Sequence, residues 1–185
     1  MVEKTKEYIF DGDIFQCVVS RRFEADYKNS LINAYRVLRS TNPSPYMVYM
    51  SIDGDEIIST SPETLVKLQN GVLNTFPIAG SRPRGKTDTE DNALADELIH
   101  DEKELAEHNM LVDLGRNDIG KISEFNSVKV TKYQEVLRYS KIMHICSEVE
   151  GKLKDGLDAF DAIESLLPAG TLFGCSKKYR ACEIH

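Results

Sequence analysis

The segment GSRPRGKT, Gly80 to Thr87, satisfies the spacing G-x-x-x-x-G-K-[ST], in which backbone N–H groups and a lysine enclose the phosphates of a nucleotide. That chemistry needs a strand ahead of the loop, a helix opening within the Gly-Lys-Thr, and an open nest of donors. The neighbouring residues argue against it. Lys86 is followed by TDTEDN, which starts the helix too late to aim its dipole into the loop. Pro83 removes a donor, and Arg82 and Arg84 crowd the nest with side chains. MLVD, Met110 to Asp113, continues a helical pattern where a nucleotide site would need an acidic strand. No nucleotide site is expected.

A second set of chemically capable residues lies just downstream. Thr87 to Asn92 offers a cap and acids for a helix N-terminus, and Leu94, Leu98, Leu105 and Val112 then recur on one helical stripe. Asp101 and His108 fall inside that stripe, with Glu104 and Glu107 flanking it, so ionisable groups stand where core residues belong. His144 sits in the apolar run Met143 to Val149. By residue type alone, acids on a helix face solvent and a histidine on an apolar strand is a satisfied core residue.

Several further elements have to hold these groups in place. Ile14 to Phe23 is rich in β-branched and aromatic residues and reads as a strand, while Leu31 to Leu38 has helical spacing. NPSPY, Asn42 to Tyr46, stops that helix, and Tyr46 to Ile52 reads as a strand. LVKLQNGVLNTFPIA predicts two antiparallel strands ending near Ala79, because Asn70-Gly71 is the pair that a type I′ turn demands. Val128 to Val130 and Met143 to Val149 read as strands, and Leu157 to Leu167 as a helix stopped by Pro168. Strands and helices mix without regular βαβ alternation, so the expected class is α+β, with mixed, largely antiparallel sheets and helices packed outside.

Bulk composition sets the remaining bounds. The chain has 185 residues, 41% of them hydrophobic and 29% charged, with a net charge of −7. That is enough to bury a core as one domain or as part of something larger. There is no run long and apolar enough for a membrane span, and MVEKTKEYIF lacks the apolar region of a signal peptide. A cytoplasmic protein, with no membrane and no nucleic acid as partner, is expected; the acidic balance gives a phosphate backbone little to bind. Cys17, Cys146, Cys175 and Cys182 form no C-x-x-C pair and read as reduced thiols.

GDIFQCVVSRRF (Gly12 to Phe23), NPSPYM (Asn42 to Met47), SPE (Ser61 to Glu63), PIAGSRPRG (Pro77 to Gly85), DEKELAEHNMLVDLGRND (Asp101 to Asp118), YSKIMHICSEVEG (Tyr139 to Gly151) and LPAGT (Leu167 to Thr171) occur in this order. In these motifs the chain resembles component I of anthranilate synthase, within the chorismate-utilising enzymes. The resemblance implies a lyase that binds chorismate and Mg²⁺, adds ammonia at ring C2 as the C4 hydroxyl leaves, and then expels pyruvate. It also implies a glutamine amidotransferase subunit that delivers the ammonia.

By the same resemblance, Glu104 is the proton donor to the departing hydroxyl, Glu107 a Mg²⁺ ligand, and His144 the histidine of the pyruvate-releasing step. Thr171 with Gly170, and Ser81 with Gly80, would contact substrate. Asn42, Pro43, Ser44, Tyr46 and Met47 correspond to part of a remote tryptophan pocket, and a tight turn entering a strand accounts for them equally well. Ala79 argues against an aminodeoxychorismate synthase, where a lysine serves as nucleophile, and the PIAG context argues against an isochorismate synthase.

Residues 1–185 are expected to form a partial chorismate-binding catalytic domain lacking the family's N-terminal region and C-terminal end. Association through exposed sheet edges, or a remnant without turnover, would follow from that. GTLFGCSKKYRACEIH, Gly170 to His185, departs from the family pattern and is longer by one residue.

Overall fold

The computed structural model describes residues 1–169 apart from Phe15, Ser140 and Pro168. The expected substrate contacts Gly170 and Thr171 lie outside the described residues. Among the described residues the elements follow in order: α1 (Val2–Phe10), α2 (Ile32–Thr41), β1 (Tyr46–Ile52), β2 (Asp55–Ser61), β3 (Lys67–Gln69), β4 (Val72–Thr75), β5 (Ile78–Pro83), α3 (Asp88–His100), α4 (Glu102–Gly120), β6 (Lys129–Arg138), β7 (Ile142–Lys152) and α5 (Ala159–Leu166). All strand pairings among them are antiparallel, so the class is α+β as expected. No described helix is long and apolar enough to cross a membrane.

The chain gathers into two compact units, one of residues 20–64 and one of residues 1–19 with 65–185. In the first, β1 and β2 pair from Tyr46↔Ser61 to Ile52↔Asp55. Here α2 begins without a side-chain cap of its own. Glu56 on β2 supplies one instead: its carboxylate accepts from the Leu31 N–H, the Ser30 hydroxyl at 2.8 Å and the Tyr49 hydroxyl at 2.6 Å. These donors, Tyr49 foremost, hold the Glu56 carboxyl below its ordinary value.

The second unit is built on β7. One edge of β7 pairs with β4 and β5 end to end, and the other with β6 along most of its length. The hairpin β3–β4 turns at Asn70 (φ 53°) and Gly71 (φ 76°), the two left-handed residues the sequence predicts. Along β7, Met143 and Ile145 pack with Ala95 and Leu98 of α3, and Val149 packs with Val112 and Ile119 of α4. A third cluster joins Leu73, Ile122 and Ala162. Since alternate strand residues point to opposite faces, His144, Cys146 and Glu148 look away from the helices.

Three expectations are corrected. The described residues of Ile14 to Phe23 are not a strand; Val18 and Phe23 are 56% and 84% exposed. β-branched residues form a strand only where a neighbouring strand takes up their backbone groups, and none pairs here. The single helical stripe from Asp88 onward is two helices that break at Asp101, whose backbone is extended at φ −75°, ψ 107°. Lastly, β4 ends at Thr75 and PIAGSRP forms a strand of its own, β5.

Candidate active site

Gly80 is the centre of the arrangement. It lies at a bulge in β5, where the pairing with β7 shifts between Ala79 and Ser81, and its φ is +67°. Glycine reaches that conformation without a Cβ penalty. Its missing side chain also makes room: a Cβ there would lie 3.0 Å from Leu98 Cδ1 and 3.2 Å from Glu104 Oε2. Glu104 therefore rests against the bulge from the helical side.

His144 reaches the same bulge from the other face. Its Nδ1 lies 2.9 Å from the Gly80 carbonyl oxygen and 3.2 Å from Ser81 Oγ. A carbonyl only accepts, so the proton belongs on Nδ1 and the lone pair on Nε2. Tyr139 packs edge-on against the imidazole, with ring centroids 5.9 Å apart. The ring is thus oriented at Nδ1 by Gly80 and Ser81 and along one side by Tyr139, with the lone pair on Nε2.

Glu104 is held by its surroundings. Asp101 caps α4 by accepting from the Lys103 and Glu104 N–H groups, and these donors, Glu104 first, draw its carboxyl below the ordinary value. Arg82 ties β5 to α3 and α4, with Nη2 2.9 Å from Asp101, Nε 2.9 Å from Glu97 and Nη1 3.8 Å from Glu104. Sequence reasoning read Arg82 as an obstruction and Asp101 as a misplaced core residue. The signal was present: an acid followed three residues later by Glu104 is the pattern of a helix cap.

The nucleotide spacing at Gly80 to Thr87 is occupied by the protein itself. The Gly85 N–H donates to Asp91 Oδ1 at 2.8 Å and the Lys86 N–H to Glu90 Oε2 at 2.8 Å. The helix opens at Asp88, capped by Thr87. Its donors are spent on acidic side chains, which leaves no nest for phosphate.

The remaining expected residues fall in different places. Glu107 is exposed, one turn along α4 from Glu104. As a hard oxygen donor, its carboxylate suits Mg²⁺, which takes few protein groups and completes its shell with substrate and water. Among the described residues no three or more His, Cys, Asp or Glu side chains gather as a metal cluster. Ala79 is buried at 7% exposure beside the bulge.

Asn42, Pro43, Ser44, Tyr46 and Met47 belong to the other unit, at the entry to β1. Asn42 ends α2, the Ser44 and Thr60 hydroxyls lie 3.1 Å apart, and Tyr46 meets Thr64 at 2.6 Å.

Known proteins bear on this arrangement directly. Anthranilate synthase component 1 of Acetivibrio thermocellus is 52% identical over 183 residues, 99% of this chain and 37% of that protein. Aminodeoxychorismate synthase component 1 of Bacillus subtilis (strain 168) is 50% identical over 183 residues, 99% of this chain and 39% of that protein. Among solved structures, anthranilate synthase component I from Streptococcus pneumoniae TIGR4 superposes with a TM-score of 0.82 at 49% identity, covering 94% of this chain and 38% of that one. The chain thus spans less than two fifths of the length of these relatives. The family of chorismate binding enzymes matches residues 1–184, and with the shared fold and identity this places the chain within the chorismate binding enzyme family.

Proposed function

We propose that the chain is part of the catalytic component of an anthranilate synthase, a lyase that converts chorismate and ammonia into anthranilate, pyruvate and water. In this reading a C–N bond forms at ring C2 as the C4–O bond breaks and the hydroxyl leaves as water. Loss of the C2 proton and of the C3 enolpyruvyl group, released as pyruvate, then makes the ring aromatic.

Hydroxide is a poor leaving group, so a proton donor is needed at C4, and Glu104 is assigned that role. His144, with Nε2 basic and Nδ1 held by Gly80, is assigned the C2 proton of the second step. Gly80 and Ser81 line the substrate, as Gly170 and Thr171 would from outside the described residues. Glu107 would hold Mg²⁺, which when bound fixes and neutralises a substrate carboxylate.

The ammonia would come from a glutamine amidotransferase subunit in the cytoplasm, and residues 42–47 would contribute to a tryptophan pocket. The observation that supports the reading is that Glu104 and His144 both meet the Gly80 bulge, one from each face of the sheet, with the imidazole tautomer set by the Gly80 carbonyl.

Near-equal identity to an aminodeoxychorismate synthase favours a second reading, in which the 4-amino isomer forms. Against it stands Ala79, which offers no amine for attack on the ring. The short span relative to its relatives favours a third, a segment without turnover of its own.

One assay separates the three. The chain is incubated with chorismate, Mg²⁺ and ammonium, anthranilate is followed by its fluorescence, and the 4-amino product by chromatography after acid treatment. Anthranilate formation that falls roughly 100-fold or more in Glu104→Gln and His144→Ala supports the proposal. The 4-amino isomer would replace it with the second reading, and silence beside an active full-length relative with the third.

A further inference from the structure

His108 is fully buried in the seam between α4 and β7, yet the roles above make no use of it. The seam is apolar on either side of it. Leu105 packs into the cluster of Met143 and Ile145, and Val112 into that of Val149. Between the two, His108 Nε2 lies 2.6 Å from Ser147 Oγ on β7. The other ring nitrogen, Nδ1, is buried with no hydrogen-bond partner among the described residues. An apolar side chain would fill this position without that penalty, so the Nε2 contact is what the imidazole contributes.

Ser147 leads to a break in the sheet. The pairing of β6 with β7 shifts between Lys132↔Glu148 and Glu135↔Cys146, so Tyr133 and Gln134 together face Ser147. Gln134 has φ 55°, and its N–H, out of the ladder, donates to Ser147 Oγ at 3.0 Å. Both bulge residues also grip the next residue of α4: the Tyr133 hydroxyl donates to Asn109 Oδ1 at 2.6 Å and Gln134 Nε2 at 3.0 Å. Consecutive helix residues are thus tied to one bulge, buried His108 through Ser147 and exposed Asn109 directly.

We infer that His108 is a positioning residue: with Ser147, Asn109 and the Tyr133–Gln134 bulge it sets the rotation and register of α4 on β7 that bring Glu104 to Gly80 and place Glu107 one turn on. Apolar side chains alone tolerate sliding and rotation, whereas a short directional bond at one point does not. His108 adjoins Glu107 and lies one turn beyond Glu104, so a small rotation there is passed directly to both carboxylates. The catalytic consequence rests on the function proposed above; the joint itself does not.

The test separates the two. In the whole chain, His108→Leu, His108→Gln and Ser147→Ala are compared by NMR. The nuclear Overhauser contact between the Gly80 α-protons and the Glu104 side chain is read together with amide exchange at Gln134. The expected result is loss of the Gly80–Glu104 contact and at least roughly tenfold faster Gln134 exchange in His108→Leu and Ser147→Ala, with the Asn70–Gly71 turn unchanged.

Both should be restored in His108→Gln, which can still reach Ser147. A contact that persists in the leucine and alanine variants, with only the melting temperature lowered, overturns the inference. Should His108→Leu not fold, Ser147→Ala and His108→Gln decide it alone. Where the chain makes anthranilate, kcat should fall roughly 10- to 100-fold in His108→Leu with KM moved less than about threefold. An inactive wild-type chain would count against the function, while the NMR result would still decide the joint.

Discussion

Gly80 shows how much one missing side chain can arrange. Its left-handed backbone turns the carbonyl toward His144, and its bare α-carbon admits the Glu104 carboxylate. Gly80→Ala should therefore fail twice, through backbone strain and through contact with Leu98 and Glu104. The expected loss is about 1–3 kcal/mol, read as a lower urea midpoint with an unchanged slope. The left-handed turn at Gly80 and the Glu104 contact were hidden in the sequence, where PIAGSRPRG carries no sign of a bulge. The candidate acids and histidine were visible by type, but their convergence was not, because Glu104 and His144 are far apart in the chain and meet only through a third residue.

Among the elements, the hairpin at Asn70-Gly71 was legible because its turn chemistry is local: both φ values are positive, as the residue pair requires. The strand Tyr46–Ile52 was legible too, bounded by prolines on one side and turn residues on the other. Two elements were misread for one reason, which is that burial and capping are decided by neighbours. Asp101 looked like an intruder in one long stripe, whereas it ends α3 and caps α4. Ile14 to Phe23 had strand composition but no partner strand in the described structure. The packing of α3 on β7 gives a direct measure of what that stripe supplies. Leu98 is 0% exposed against Met143 and Ile145, so Leu98→Ala should cost about 2–5 kcal/mol in equilibrium unfolding. It should leave the Asn70–Gly71 hairpin signals in place.

Across the larger unit, Asp91 is the polar hub. Its carboxylate accepts from Arg84 at 2.7 and 3.1 Å, from Arg138 at 3.0 Å and from the Gly85 N–H at 2.8 Å, joining loop, helix and strand β6. Arg84 foremost, then the Gly85 N–H, lowers its pKa from 3.8 to about 2. A carboxylate depressed in the folded state contributes stability above its unfolded value, and this is lost as pH falls through the folded one. Wild type should lose stability between about pH 4 and pH 2, and Asp91→Asn should flatten that part of the curve while lowering the melting temperature at pH 7. Thermal melts across pH 2–7 check this; an unaltered acid limb in the variant would remove Asp91 from that role.

By itself, the sequence determined the α+β class, the turn at Asn70-Gly71, the exclusion of a phosphate nest and the kinship with chorismate-using enzymes, because each is written in short-range residue order. The tertiary structure alone decided that Gly80 is a shared seat for Glu104 and His144, that Asp101 is a cap, and that His108 is a buried joint. Those facts depend on which strand lies beside which helix, and a side chain's partner across a sheet is set by the packing of distant segments rather than by its place in the chain.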